Sequence, residues 1–454
     1  MSRFVLATAG SLGDLHPYVA VARALIERGH RAMIAAAEDH RAPVEAAGVE
    51  FAPVRPRASD IGDYQELVAR LFEVRRGPEC LMRELVMPHL RPACEDLSRA
   101  AEGADLLISH PLTVTLPLVA QLRGLPWVAT VLSPLSFMSS CDPPVIAGAS
   151  WLRKLRILGV APYRFIFKLV KLTVRSWEAP LREFRRELGL PPAKHPAMFE
   201  GQFSPFLNLA LFDPELANPQ PDWPANVRVC GAPMYDGAAP DAAIRNDLER
   251  FLNEGEPPIA FALGSSAVWI AGDFWEKAAA AAQRLGRRAI LVTGPVTPKG
   301  LPEGVRAFPY LPYSSAFPRA AAVVHQAGIG TLAQAMRAGR PQLIVPVAFD
   351  QPDNARRAAA LGLARVLPFR RVTARRLACE LAALLEQPSY ARAARNVAEA
   401  VSGIDGAGNA AEALIACAKK RSKGNSGKIR TDSMNGVEEY LTDHALRRER
   451  PQEG

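Results

Sequence analysis

Residues 323–354 read VVHQAGIGTLAQAMRAGRPQLIVPVAFDQPDN. A run of β-forming residues ends at His325, a glycine-rich turn follows, and helix-forming residues begin near Thr331. A buried strand that turns through glycines into a helix aims free backbone N–H groups and the positive helix end at one point, a natural phosphate site. Gly328 and Gly330 let an anion approach the backbone, and Thr331 adds a hydroxyl. A glycine-rich turn that holds nothing is the plain alternative. The bare pattern also admits a different ligand. Gly328, Gly330 and Ala333 match the dinucleotide fingerprint, and Asp350 lies 20 residues beyond Gly330. Two features count against a nicotinamide-dependent oxidoreductase: Asp350 is followed at once by Gln351 and then Asn354, and the fingerprint sits in the second half of the chain.

Outward from this stretch the same rhythm continues. Upstream in the same half come PPIAFALGS, helical DFWEKAAAAAQRLG and RRAILVTG. Downstream, PQLIVPV precedes helical DNARRAAALG. The first half repeats it from RFVLATAG through PYVAVARALIERGH, AMIAAAE, VEFAPV, ADLLISH and LPWVATVLS. Continuous apolar strands alternating with helices imply a parallel sheet covered on both faces. Between the halves, residues 213–236 carry five prolines and little periodicity. The expected fold is α/β, two doubly wound Rossmann-like domains facing a central cleft, with ligands beyond the carboxyl ends of the strands. The expected division is a first domain at 1–212, a linker at 213–236, a second domain at 237–420, and a disordered polar tail at 421–454.

The 454 residues suit two or three domains at roughly 100–200 residues each. Hydrophobic residues at 49% and charged ones at 22% exclude whole-chain disorder. No apolar run reaches the roughly 18 residues of a membrane span, and the apolar start, interrupted by Asp14 and His16, reads as a strand rather than a signal peptide. The formal charge of +9 favours acidic partners such as a phosphate-bearing substrate or anionic lipid, while no nucleic-acid-reading module accompanies it. Six scattered cysteines without a CxxC pair point away from structural zinc and disulfides, toward the cytoplasm. The histidines show no metal-ligand spacing.

HQAGIGTLAQAMRAGRPQLIVPVAFDQPDNA resembles the donor-binding signature of GT-B glycosyltransferases of the UDP-glycosyltransferase type, and TAGSLGDLHPYVAVARALIERGH resembles their amino-terminal opening. The likeness spans roughly residues 1–400. Within that group, PDWPANVRVCGAPMYDG and DLERFLNEGEPPIAFALGSS are most similar to bacterial glycolipid enzymes, notably the rhamnosyltransferase subunit of rhamnolipid synthesis. Sterol and antibiotic glycosyltransferases are more distantly similar. The resemblance implies transfer of a sugar from a nucleoside diphosphate donor, of UDP-glucose or dTDP-rhamnose type, to a hydrophobic or lipid-like acceptor. The displacement would be inverting, without metal or separate cofactor. A non-catalytic nucleotide-sugar-binding relative is the alternative.

By that resemblance Gly328, Gly330 and Thr331 hold the donor diphosphate with Ser265 or Ser266 facing them, and His325 and Gln326 belong to the same site. Tyr310 matches the position that stacks on the base, Gln334 the position where plant members use a carboxylate for ribose, and Asp350 with Gln351 the pair that binds the sugar. Gln326 stands where a second histidine is expected, so it can donate a hydrogen bond but carry no charge. In GSLGDLHP, residues 10–17, Asp14 matches the general base; its other reading is a cap for the helix starting near Pro17. His16 is the reserve base, and His110 either lines the cleft or sits solvated at a strand end.

Apolar side chains at Leu71, Phe72, Leu81, Met82, Leu135, Phe137 and Met138 are expected to line the acceptor pocket. Residues 150–186 hold ten Lys or Arg against two Glu, with Trp151, Phe165, Phe167 and Trp177 interleaved. Two readings stay open for this segment: peripheral contact with the inner face of a membrane, or pocket-lining helices with a solvated basic face.

Overall fold

The computed structural model describes residues 1–238 and 240–424, the last four for their backbone alone. The expected tail at 421–454 therefore falls outside the described residues apart from the end of one helix. Seven parallel strands form the first sheet: β1 (Arg3–Ala7), β2 (Arg31–Ala36), β3 (Glu50–Pro53), β4 (Leu106–Ser109), β5 (Trp127–Val131), β6 (Asn208–Ala210) and β7 (Val227–Val229). Their order is β3-β2-β1-β4-β5-β6-β7. The second sheet has six parallel strands: β8 (Ile259–Ala262), β9 (Ala289–Val292), β10 (Val305–Phe308), β11 (Ala322–His325), β12 (Gln342–Ile344) and β13 (Ala364–Val366). Its order, β10-β9-β8-β11-β12-β13, repeats the pattern of the first. The expected pair of doubly wound domains is what the chain forms.

The continuous apolar strands work as their period requires, since successive side chains leave a strand on opposite faces. In β1, Phe4 and Leu6 enter one core and Val5 and Ala7 the other, all buried. In β8, Ile259 and Phe261 face one side and Ala260 and Ala262 the other. Strand order reverses between β1 and β4, and again between β8 and β11. Those two switch points are where such sheets leave room for ligands.

Three features differ in detail from the sequence reading. The first helix runs Leu12–Glu27, with Pro17 inside it, because Ser11 and Asp14 form a capping box that starts the helix five residues early. The proline-rich stretch contributes β7, an edge strand of the first sheet. Finally, the Gly406–Gly424 helix returns to the first domain, burying Ala410, Ala411, Leu414 and Ala418 in the core that holds Tyr18, Val21 and Leu25. A further apolar cluster spans both domains, joining Val131, Phe137, Phe212 and Trp223 to Leu332, Met336, Ile344 and Ala358.

Candidate active site

The first switch point places Asp14 beside His110. Gly10 has a φ of +124°, and a Cβ there would lie 2.3 Å from Asp14 Oδ2, so the turn needs glycine. Asp14 Oδ2 accepts from the Ser11 N–H at 2.8 Å and lies 3.3 Å from the Ser11 hydroxyl. His110, which directly follows β4, is only 4% exposed. Its Nδ1 accepts from the Leu112 N–H at 3.1 Å, so its proton sits on Nε2, which faces Asp14 Oδ1 at 3.5 Å. Capping and chemistry are thus compatible, one oxygen serving each. The carboxylate is held from two sides, with a third of the side chain open to the cleft.

His16 is not brought to this pair. Residues two apart on a helix do not share a face. Its ring packs edge-on against Tyr235 of the linker, centroids 5.3 Å apart. Burial lowers its pKa to about 4, partly offset by the nearby Asp236 carboxylate. His16 is therefore neutral at pH 7 and packed against the linker, poorly suited to act as the reserve base.

The second switch point carries the glycine turn. Gly328 caps the Ile329–Arg337 helix, whose first bond runs from the Leu332 N–H to the Gly328 carbonyl at 2.9 Å. The N–H groups of Ile329, Gly330 and Thr331 come before that bond and form the open helix end. A Cβ on Gly330 would meet nothing within 4 Å, so the space above it is open. Across from it, the Gly264–Ala267 turn after β8 carries Ser265 and Ser266, both half-buried. Gln326 fills the gap between the two turns: a Cβ on Gly264 would sit 2.2 Å from its Nε2, and one on Gly328 2.8 Å. Its Oε1 is buried without a hydrogen-bond partner among the described residues.

His325 needs correcting. It is fully buried, its Nδ1 accepts from the Ala327 N–H at 3.1 Å, and its Nε2 pairs with Gln342 Oε1 at 3.0 Å. Burial lowers its pKa to about 4, so it is neutral with no ring nitrogen left for a ligand. It holds the turn instead. Ala327 has a φ of +66° and Phe349 one of +54°, both just beyond neighbouring strands. Such strain in residues with a side chain clusters at functional sites.

Asp350 N-caps the Gln351–Ala360 helix. Crowding by protein raises its pKa to about 7; the Asn354 amide opposes that rise, and the nearby Asp14 and Asp353 charges add to it. Gln351 Oε1 accepts from the N–H groups of Val347 and Ala348 at 2.9 and 3.3 Å, leaving its Nε2 for a ligand. Tyr310 and Gln334 are both tied to the linker: the Tyr310 hydroxyl donates to the Asp236 carbonyl, and Gln334 Nε2 donates to Asp236 Oδ1 at 2.7 Å. Tyr313, which the sequence reading passed over, is half-buried and stacks on Phe317 with centroids 4.3 Å apart, its hydroxyl close to Thr331 and the Gly264 backbone. Among the described residues no group of three or more His, Cys, Asp or Glu side chains is placed to hold a metal ion.

With this geometry in view, the likenesses to known proteins are specific. Residues 4–112 match the glycosyltransferase family 28 N-terminal domain, and residues 294–416 the erythromycin biosynthesis protein CIII-like C-terminal domain. The O-mycaminosyltylonolide 6-deoxyallosyltransferase of Streptomyces fradiae is 35% identical over 419 residues, 90% of this chain and 96% of that one. The chain belongs to the GT-B glycosyltransferases. Solved members share the fold. The glycosyltransferase VinC in complex with dTDP superposes with a TM-score of 0.65 at 22% identity, over 92% of this chain and all of that one. The spinosyn rhamnosyltransferase SpnG gives 0.66 at 20%, over the same shares.

This glycosyltransferase is therefore an enzyme of nucleotide-sugar chemistry, and the nicotinamide reading of the glycine pattern falls away. The particular likeness to rhamnolipid enzymes is not what these relatives support. The sequence reading noted Asn354 only as a polar neighbour of Asp350 and passed over Asp353 and Arg357; all three are buried where the two domains meet. Only the Asp353–Arg357 spacing, four apart on a helix, signalled a pair.

Proposed function

We propose that this glycosyltransferase moves a sugar from a nucleoside diphosphate donor to the hydroxyl of a hydrophobic acceptor, with inversion. The observation that carries the reading is the pair of switch-point features: Asp14, fixed by the Ser11 N–H beside His110, and the open helix start at Gly330. Asp14 Oδ1 takes the acceptor hydroxyl proton as that oxygen attacks the anomeric carbon. The bond from that carbon to the diphosphate oxygen breaks, and the leaving charge passes to the open N–H groups at Gly330 and Thr331. That stabilisation asks for no catalytic metal. Asp350 and the Gln351 amide orient the sugar hydroxyls, while Tyr310 and Gln334 sit at the base and ribose end. The Streptomyces fradiae relative is named for transfer of a 6-deoxyallosyl group, which favours a 6-deoxyhexose donor of the dTDP-rhamnose type over UDP-glucose.

The apolar acceptor rests on fewer residues than the sequence suggested. Met82 and Phe137 are core residues, Phe137 stacked 3.8 Å from Trp223. Phe72 does reach the cleft, packing edge-on against Phe349 at 5.4 Å, next to Asp350. Leu71, Leu135 and Met138 stay half-buried. The test is a transfer assay in chelator across hydrophobic and small polar acceptors, with the anomeric configuration of the product determined. An inverted glycoside of an apolar acceptor is expected; transfer only to small sugars, or retention, contradicts the reading.

A second reading concerns location. None of the six cysteines is in a disulfide, in keeping with the cytoplasm. No helix among the described residues is long and apolar enough to cross a membrane. Peripheral contact is favoured by the Ala161–Trp177 helix, which buries Tyr163, Phe167 and Val174 on one stripe and exposes Phe165, Leu169 and Leu172 on the other. Arg164, Lys168 and Arg175 flank the exposed stripe without ion pairs among the described residues, and Ile157 nearby is 90% exposed. Apolar stripes beside cations suit an anionic lipid surface. Cosedimentation with phosphatidylglycerol-containing vesicles, lost in a Phe165→Ser, Leu169→Ser, Leu172→Ser variant, is expected; equal partition to pure phosphatidylcholine vesicles, or none, contradicts it.

A further inference from the structure

We infer that Asn354 is a positioning residue that ties the Asp350 carboxylate and the diphosphate turn to the acceptor-side domain through Ser133. This rests on the proposed role of Asp350 as a sugar contact. Asn354 is fully buried. Its Nδ2 donates to the Ala327 carbonyl at 3.0 Å and to Asp350 Oδ2 at 2.8 Å, and its Oδ1 accepts from the Ser133 hydroxyl at 3.1 Å. The Ala327 carbonyl facing the nitrogen has no proton to give, so the orientation of this amide is fixed by chemistry. One side chain thus touches the strained residue of the diphosphate turn, the sugar-end carboxyl, and the residue two past β5 in the other domain.

The helix that carries Asn354 cannot shift without the same acceptor-side segment. Asp353 Oδ1 accepts from the Val145 N–H at 3.0 Å, and Arg357 bonds Asp353 at 2.7 Å, Asp142 at 2.6 Å and the Leu216 carbonyl at 3.0 Å. Asp353 and Arg357 are themselves buried, and losing one partner of such a pair is strongly destabilising. The donor-sugar contact and the 133–145 segment are therefore braced together. Motion or occupancy on the acceptor side reaches Asp350 through a single amide.

The electrostatics give this brace a measurable signature. Asp350 faces two negative groups, Asp14 from the first domain, which is paired with His110, and Asp353 from its own helix, which is paired with Arg357. The Asn354 N–H is the side-chain donor that favours the charged form of Asp350. An ionised carboxylate accepts from sugar hydroxyls more strongly than the neutral acid, so donor kcat/KM should fall as pH drops through about 7. Removing the Asn354 donor should move that fall to higher pH.

The experiment is the pH profile of donor kcat/KM for the wild type, Asp350→Asn, Asn354→Leu, Ser133→Ala and Ser133→Thr, using the nucleotide sugar found active in the transfer assay. Asp350→Asn should abolish the acid limb; a limb that persists there overturns Asp350 as the sugar contact and not the brace itself. Asn354→Leu should raise the limb by about one pH unit. Ser133→Ala should leave the limb in place while lowering kcat about threefold to tenfold, and Ser133→Thr should restore it. If Asn354→Leu does not fold, the Ser133 pair still decides. A stationary limb in folded Asn354→Leu, or wild-type turnover in Ser133→Ala, overturns the inference.

Discussion

The two sheets share one strand order, yet their switch points are filled in opposite ways. Between β1 and β4 the chain supplies its own anion: Asp14 accepts the Ser11 N–H at the head of its helix and faces His110. Between β8 and β11 the helix that follows β11, the strand standing where β4 stands in the first sheet, begins at glycines, with open space over Gly330 and no carboxylate in its first turn. A helix start carries the same partial positive charge in either place. Where the chain occupies it, the result is a fixed carboxylate suited to taking a proton. Where the chain leaves it bare, the open N–H groups form the seat proposed for the donor diphosphate. The helix start after β1 carries Asp14 three positions in and the one after β11 carries Thr331 there, so the two sheets use opposite sides of the switch point.

That contrast can be broken at either end. The largest effect is expected for Asp14→Asn, which keeps the cap but cannot take a proton: turnover should fall about 10²–10⁴-fold, with melting temperature near wild type. A smaller loss, on the order of 10²-fold in nucleoside diphosphate affinity, is expected for Gly330→Leu, whose side chain would fill the open space over the helix end and cost charge-assisted hydrogen bonds. His110→Ala removes one N–H from the carboxylate and should lower kcat about tenfold, with partial recovery in His110→Gln; unchanged turnover would detach His110 from the base. The smallest change is expected for Gln326→His, which places an imidazole between Gly264 and Gly328 and should retain or raise turnover. A loss greater than about tenfold would show that the neutral amide is itself required.

The donor half of the site was legible because its signals are local. Strand, glycine turn and helix lie within ten residues around Gly328, and Asp350–Gln351 opens the next helix. His325 was misassigned because its motif position does not reveal that Ala327 and Gln342 use both ring nitrogens. His110 stayed undecided for a different reason: its approach to Asp14 depends on β4 lying beside β1, a property of sheet order and not of spacing. Asn354 was invisible as a brace because Ser133 lies 221 residues away in sequence. The returning Gly406–Gly424 helix is alike: its small apolar face carries no mark of which domain it will cover. The interdomain aromatic cluster likewise took Phe137 from the expected pocket into the core, since an apolar residue suits either.

The division of labour between the switch points is tested most directly by calorimetric titration of a nucleoside diphosphate into the wild type, Asp14→Asn and Gly330→Leu side by side. The account predicts wild-type affinity for Asp14→Asn and a loss on the order of 10²-fold for Gly330→Leu. Undiminished binding by Gly330→Leu, or an equal loss in both variants, would contradict it.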